Sequence, residues 1–160
     1  MKYRIKITTT QTDYKGKSIF DRASDELLIE ETFSMADCDG TIETSLYGEF
    51  DSVGDEYTLC YEEETEGMGG VFTEIKFNTN KPEAITISRT GAMESFMSFE
   101  KGKRDICVYN TGIMPFEICI YSKDVDNRLL TDGILEIMYL VEIKGACAQK
   151  TVMKMEIEKL

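Results

Sequence analysis

Ile134-Leu135-Glu136-Ile137-Met138-Tyr139-Leu140-Val141-Glu142-Ile143 is the stretch that decides the fold. Leu135, Ile137, Tyr139, Val141 and Ile143 fall on one face, because side chains on a strand point alternately to opposite sides. The alternation predicts a long strand with one face in the core. Downstream, Lys144-Gly145 reads as a turn. Thr151 to Ile157 then places Met153, Met155 and Ile157 together on a last strand.

Upstream the same period returns. Phe116, Ile118 and Ile120 alternate with Glu117, Cys119 and Tyr121 after Pro115, a residue tolerated where a strand begins. Ile106 and Val108 share a face. Ser95, Met97 and Phe99 form another face, extended backwards to Met93. Lys101-Gly102-Lys103 reads as the tight turn of a hairpin between these two strands. Further strands are expected over Thr41 to Phe50, Glu56 to Glu64, Val71 to Phe77 and Ala84 to Arg89. Tyr3, Ile5 and Ile7 mark a first strand, followed by a polar turn over residues 10–16. Met35 to Gly40 reads as a turn. Residues 17–40 as a whole stay open between a short helix and an extra strand. Phe20, Ala23, Leu27 and Phe33 have helical spacing, with Ser24-Asp25-Glu26 as a cap, yet Leu27, Ile29, Glu31 and Phe33 also alternate.

A row of strands exposes unpaired edges unless it closes or stacks. Short connections favour sequence neighbours as spatial neighbours. The expected fold is therefore all-β: a single domain over residues 1–160, an antiparallel up-and-down barrel of about eight to ten strands.

Composition narrows the function. The formal charge of −12 disfavours a nucleic-acid backbone and an anionic membrane surface. No apolar run approaches the roughly 20 residues of a membrane span, and Met1-Lys2-Tyr3-Arg4 leads directly into a strand. The expected compartment is the cytoplasm. The five cysteines, Cys38, Cys60, Cys107, Cys119 and Cys147, contain no C-x-x-C and are expected as free thiols. Those within strands, Cys60, Cys107 and Cys119, are read as small hydrophobes. Histidine is absent, which removes the commonest general base and transition-metal ligand. Asp37, Asp39 and Glu43 lack the spacing of a calcium loop, and Gly67-Met68-Gly69-Gly70 lacks the Lys-Ser/Thr of a phosphate loop. No catalytic constellation, metal site or cofactor is expected.

Arg89 continues the apolar face of Ile85 and Ile87. Three readings are open. It anchors an anionic ligand through its planar fork, it caps the barrel end on the protein's own acceptors, or it snorkels at an exposed strand end. The methionines at strand-face spacing, Met93, Met97, Met153 and Met155, suit either a lipophilic cavity or ordinary core packing.

The ordered segments Thr41-Ile42-Glu43 to Gly48-Glu49-Phe50, Tyr57 to Glu63, Ile87-Ser88-Arg89-Thr90-Gly91-Ala92-Met93, Phe99 to Arg104 and Tyr109-Asn110-Thr111-Gly112 resemble those of the bacterial YwiB-like family. The resemblance covers about residues 1–9 and 41–158. It implies a calycin-like barrel, the shape shared by lipocalins and fatty-acid-binding proteins, and carries no activity with it. Its arginine-glycine segment falls on Arg89 and Gly91. Residues 10–40 exceed the family's usual first connection, and Gly112 to Pro115 departs from its aromatic-glycine turn. The chain has no Trp for a lipocalin Gly-x-Trp, and no Arg-x-Tyr clamp in its last strands.

Two functions follow as expectations. One is a non-enzymatic barrel that binds a small lipophilic or anionic ligand, with Arg89, Tyr109 and Tyr139 as contacts. The other is a structural or protein-interaction barrel whose interior is filled, for instance by Phe99, Phe116 and Tyr139. The oligomeric state stays open.

Overall fold

In a computed structural model of the chain, residues 1–15, 34–65, 69–110, 115–143 and 146–160 are described. They form ten strands: β1 (Lys2–Lys15), β2 (Ser34–Val53), β3 (Glu56–Thr65), β4 (Gly69–Asn78), β5 (Lys81–Gly91), β6 (Ser95–Phe99), β7 (Arg104–Asn110), β8 (Pro115–Arg128), β9 (Ile134–Ile143) and β10 (Ala146–Lys159). All pair antiparallel in one sheet of order β6-β5-β4-β3-β2-β1-β10-β9-β8-β7. The up-and-down meander is as expected, and the first strand meets the last through Ile5↔Ile157 and Ile7↔Met155. No helix occurs among the described residues.

The barrel closes elsewhere. β6 and β7 are the sheet's two edges, joined by one bridge in which Glu94 and Asn110 exchange N–H···O bonds of 2.9 Å. The expected hairpin about Lys101-Gly102-Lys103 therefore has a turn but no ladder. β8 recruits that turn instead: Gly102 N–H donates to Ser122 O at 2.8 Å and Ser122 N–H to Lys103 O at 3.0 Å. A local turn signal cannot reveal that its two arms are edges of a sheet completed by other strands.

Two further expectations are corrected. Residues 10–15 and 35–40 are not turns but continue β1 and β2, paired through Thr10↔Thr41, Gln11↔Gly40 and Thr12↔Asp39. Polar residues hold a strand here because the ladder is satisfied and Thr is at ease in extended backbone. The helix-or-strand question over 17–40 is settled only for its end, since Ser34 onward is strand and residues 16–33 lie outside the described residues.

The lumen is built by alternation. Ile5, Leu59, Ile75, Ile85, Ile87, Phe99, Leu135, Ile137 and Met155 are almost wholly buried. In β8 the register shifts between Ser122 and Asp124. The extra residue switches the inward set from Ile118, Ile120 and Ser122 to Val125, since one added residue reverses every later side chain. Near the base of the barrel, Phe50 packs against Tyr3, Tyr57 and Phe77 with ring centroids 5.7, 5.5 and 6.4 Å away. Phe99 of β6 meets Tyr139 of β9 at 4.9 Å. These strands are not sheet neighbours, so the pair packs across part of the barrel interior.

Candidate functional site

Arg89 lies inside. It stands opposite Thr73 of β4 on one side and Ser95 of β6 on the other, and Thr73 in turn faces Tyr61 of β3. The four side chains make a polar row across four strands, just above the apolar floor of Ile75 and Ile87. Arg89 is half-buried, whereas Thr73 and Ser95 are 1% and 7% exposed. Gly91 ends this strand with φ of +103°, and a Cβ there would stand 2.5 Å from Gly70 O. Only glycine takes that conformation and approach without strain, which accounts for an arginine-glycine pair at the barrel rim.

Burial pushes the Tyr61 phenol far above its ordinary range, with Glu63 adding to the effect; the Arg89 charge and the Thr73 hydroxyl oppose it. Burial likewise raises the Cys107 thiol, opposed by the Phe96 backbone and by Arg89. Both groups keep their protons at neutral pH, so the row offers hydrogen-bond donors rather than a nucleophile. The Thr73 and Ser95 hydroxyl oxygens, and that of Thr151 on β10, are sealed from solvent and meet no partner at hydrogen-bonding geometry. Thr73 is close enough to Tyr61 to favour its ionised form, but the two hydroxyls are poorly aligned for a hydrogen bond.

The other expected contacts are not brought to Arg89 as one cluster. Tyr139 belongs to a second inward row, Gln11–Thr151–Tyr139–Ser122, across β1, β10, β9 and β8. Its ring packs against Phe99 inside the barrel. Tyr109 pairs through its backbone with Phe116 in the β7–β8 ladder, and its side chain lies outside the described residues.

Sequence alternation had not singled out the outer wall, where two features stand out. Glu142 is 3% exposed despite its outward position. Arg104 Nε reaches its Oε1 at 3.4 Å while the guanidinium sits 4.3 Å above the Tyr121 ring. Beside them the Cys119 thiol is pushed up to about 11, by burial first and then by Glu142. The second feature is a recess of about 650 Å³ running over β2 to β5. Tyr47 and Phe72 flank it, 63% and 55% exposed, with Glu49, Glu62 and Glu74 alongside and Cys60 on its floor. Cys60 is exposed, contrary to its reading as a core hydrophobe, because Leu59 and Tyr61 take the inward positions on β3. The signal for this wall was present in Val71-Phe72-Thr73-Glu74, where an aromatic shares the polar face. A further recess of about 690 Å³ lies at the base, bordered by Tyr3, Tyr57, Leu130 and Asp132.

Among the described residues, no group of three or more Cys, Asp or Glu is arranged to hold a metal ion. Nor is any helix there long and apolar enough to cross a membrane. Fold and geometry define a small antiparallel β-barrel with an aromatic pair packed inside it, a polar inner row towards one end and a recessed acidic outer wall. The chain belongs to the family described as domain of unknown function DUF1934, whose model matches residues 28–155. Its fold is similar to the crystal structure of the ywiB protein from Bacillus subtilis, with a TM-score of 0.67 at 17% identity, over 99% of this chain and 94% of that one. No curated protein matches the chain.

Proposed function

We propose that the protein is a non-enzymatic interaction barrel: its packed interior is scaffold, and its working surface is the outer wall. The observation that carries this reading is the recess of about 650 Å³ on the outer wall, flanked by exposed Tyr47 and Phe72, over an interior in which Phe99 and Tyr139 pack 4.9 Å apart. That volume is in the range of functional sites, and exposed aromatics are what protein interfaces bury at their centres. The other wall residues left outward, Phe96, Ile106 and Val108 beside the β6–β7 seam, add apolar surface of the same kind.

Native mass spectrometry of protein purified from its own host tests the proposal. A polypeptide-sized adduct is the expected result. A stoichiometric small-molecule adduct, lost when Arg89 is replaced by Met, would overturn it. That outcome would favour a second reading, a small anionic ligand held inside by Arg89. The unsatisfied hydroxyls of Thr73 and Ser95 on either side of that guanidinium support this second reading, since buried polar groups ordinarily have partners. A ligand reaches those oxygens only if the barrel opens around them.

A further inference from the structure

We propose that the recessed outer wall of β2–β5 docks a basic, extended segment of a partner protein. This rests on the interaction reading above and names the partner's chemistry. Strands in a barrel tilt and twist, so its outside is convex around the axis but concave along the strands. Here the concavity is deepened by small outward residues, Cys60 on β3 between the taller Tyr47 and Phe72, and Ser88 on β5 beyond Phe72. A chain lying along it meets two exposed aromatic faces with carboxylates beside them.

Charge selects the occupant. The outward side chains in the recess include Glu49, Glu62 and Glu74. Of the adjoining cations, Lys76 is engaged with Glu74 at 3.0 Å and Glu56 at 3.9 Å, and Lys2 of β1 stands opposite Glu49. The neighbouring wall of β1 and β10 is more nearly balanced: Arg4 faces Glu158 and Lys6 faces Glu43, each at 3.4 Å, and Lys154 faces Glu156 at 3.1 Å. The recessed wall thus carries an excess of carboxylates over cations, and it draws a cationic surface there. Arg fits best, because its planar guanidinium stacks on Tyr or Phe while donating to a neighbouring carboxylate. A second copy docking on the same wall would set like charges face to face. Nucleic acid and anionic membranes are repelled by the same field.

The test is an NMR titration with a synthetic peptide of alternating Arg and Leu, and with its Glu-Leu counterpart. The expected result is saturable binding of the basic peptide only, with shifts centred on Glu49, Glu62 and Phe72. The pair Glu49→Lys/Glu62→Lys should weaken it by about tenfold or more, as should Phe72→Ala, while Glu136→Lys/Glu158→Lys, equal in net charge, should change it by less than about twofold. Equal loss with both charge pairs would overturn the proposal by reducing binding to attraction by the net charge of −12. Shifts centred on the β6–β7 seam would overturn it too, as would a concentration-dependent dimer that Phe72→Ala abolishes. If the basic peptide fails while a polypeptide adduct is found in native spectra, the docking chemistry falls and the interaction barrel stands. A small-molecule adduct lost with Arg89→Met removes both.

Discussion

Replacing Thr73 by Val should stabilise the protein. Thr73 Oγ1 is sealed inside at a side chain 1% exposed, near the Tyr61 phenol but without good hydrogen-bonding geometry to it. In the unfolded chain that hydroxyl is solvated by water, and folding gives it in return only a poorly aligned contact with Tyr61. An unsatisfied buried group of this kind costs about 1–3 kcal/mol. Val has the same branched shape at Cβ and the same ease in a strand, and it adds a methyl group to the burial. The gain is therefore the recovered cost, about 2 kcal/mol at the centre of that range. For a domain of this size such a change moves Tm by about 4–8 °C. Urea unfolding followed by tryptophan-independent far-UV circular dichroism, with calorimetry beside it, measures both. Thr90→Val, exposed on the neighbouring strand, is the control and should stay within about 0.5 kcal/mol. Ser95→Ala and Thr151→Val should each act in the same direction, because their oxygens are equally orphaned. A loss of stability on Thr73→Val would refute the reasoning, for it would mean that Tyr61, or a water, satisfies the hydroxyl.

Other outcomes follow from the same packing. Phe99→Ala should cost about 3–5 kcal/mol and open the lumen, so that a small apolar probe raises the Tm of the variant and not of the parent; an unchanged urea midpoint would show the Phe99–Tyr139 contact to be slack. Gly91→Ala should lose at least about 1–2 kcal/mol, from the positive φ together with the clash on Gly70 O, as read by denaturant midpoints. The Cys119 thiol, raised from 9.0 to about 11, should react with iodoacetamide more slowly than an unfolded cysteine at pH 9. The linkage sign is fixed by that direction. Between pH 9 and about 11 the unfolded chain has released the Cys119 proton and the folded chain still holds it. Stability should thus fall as pH rises through that window and level off above it. Cys119→Ala should flatten the slope, and an identical slope would assign the effect to other groups.

The inner row and the outer recess differ in what they can do. Tyr61 and Cys107 keep their protons, so the inner row recognises rather than reacts. Its unsatisfied oxygens make it a point of stored instability in an otherwise apolar interior. The outer recess is open, aromatic and acidic, and it is reached without moving any strand.

Much of the architecture was legible in the residues alone. Period-two alternation over Ile134–Ile143 and its counterparts named the inward faces, because pleating is a local property of extended backbone. Arg89 was marked out for the same reason, as a charge continuing an apolar face. Register was not legible, because it depends on pairings between residues far apart in sequence, and local pattern carries no record of them. Only tertiary structure could set Tyr61, Thr73, Arg89 and Ser95 in one row, carry Thr10 into a ladder with Thr41, and leave β6 and β7 as edges on either side of an apparent hairpin. It also gathered Glu49, Glu62 and Glu74 beside Tyr47 and Phe72 on one recessed wall. Alternation says which side of a strand faces water; the closing of the sheet says which outward residues become neighbours.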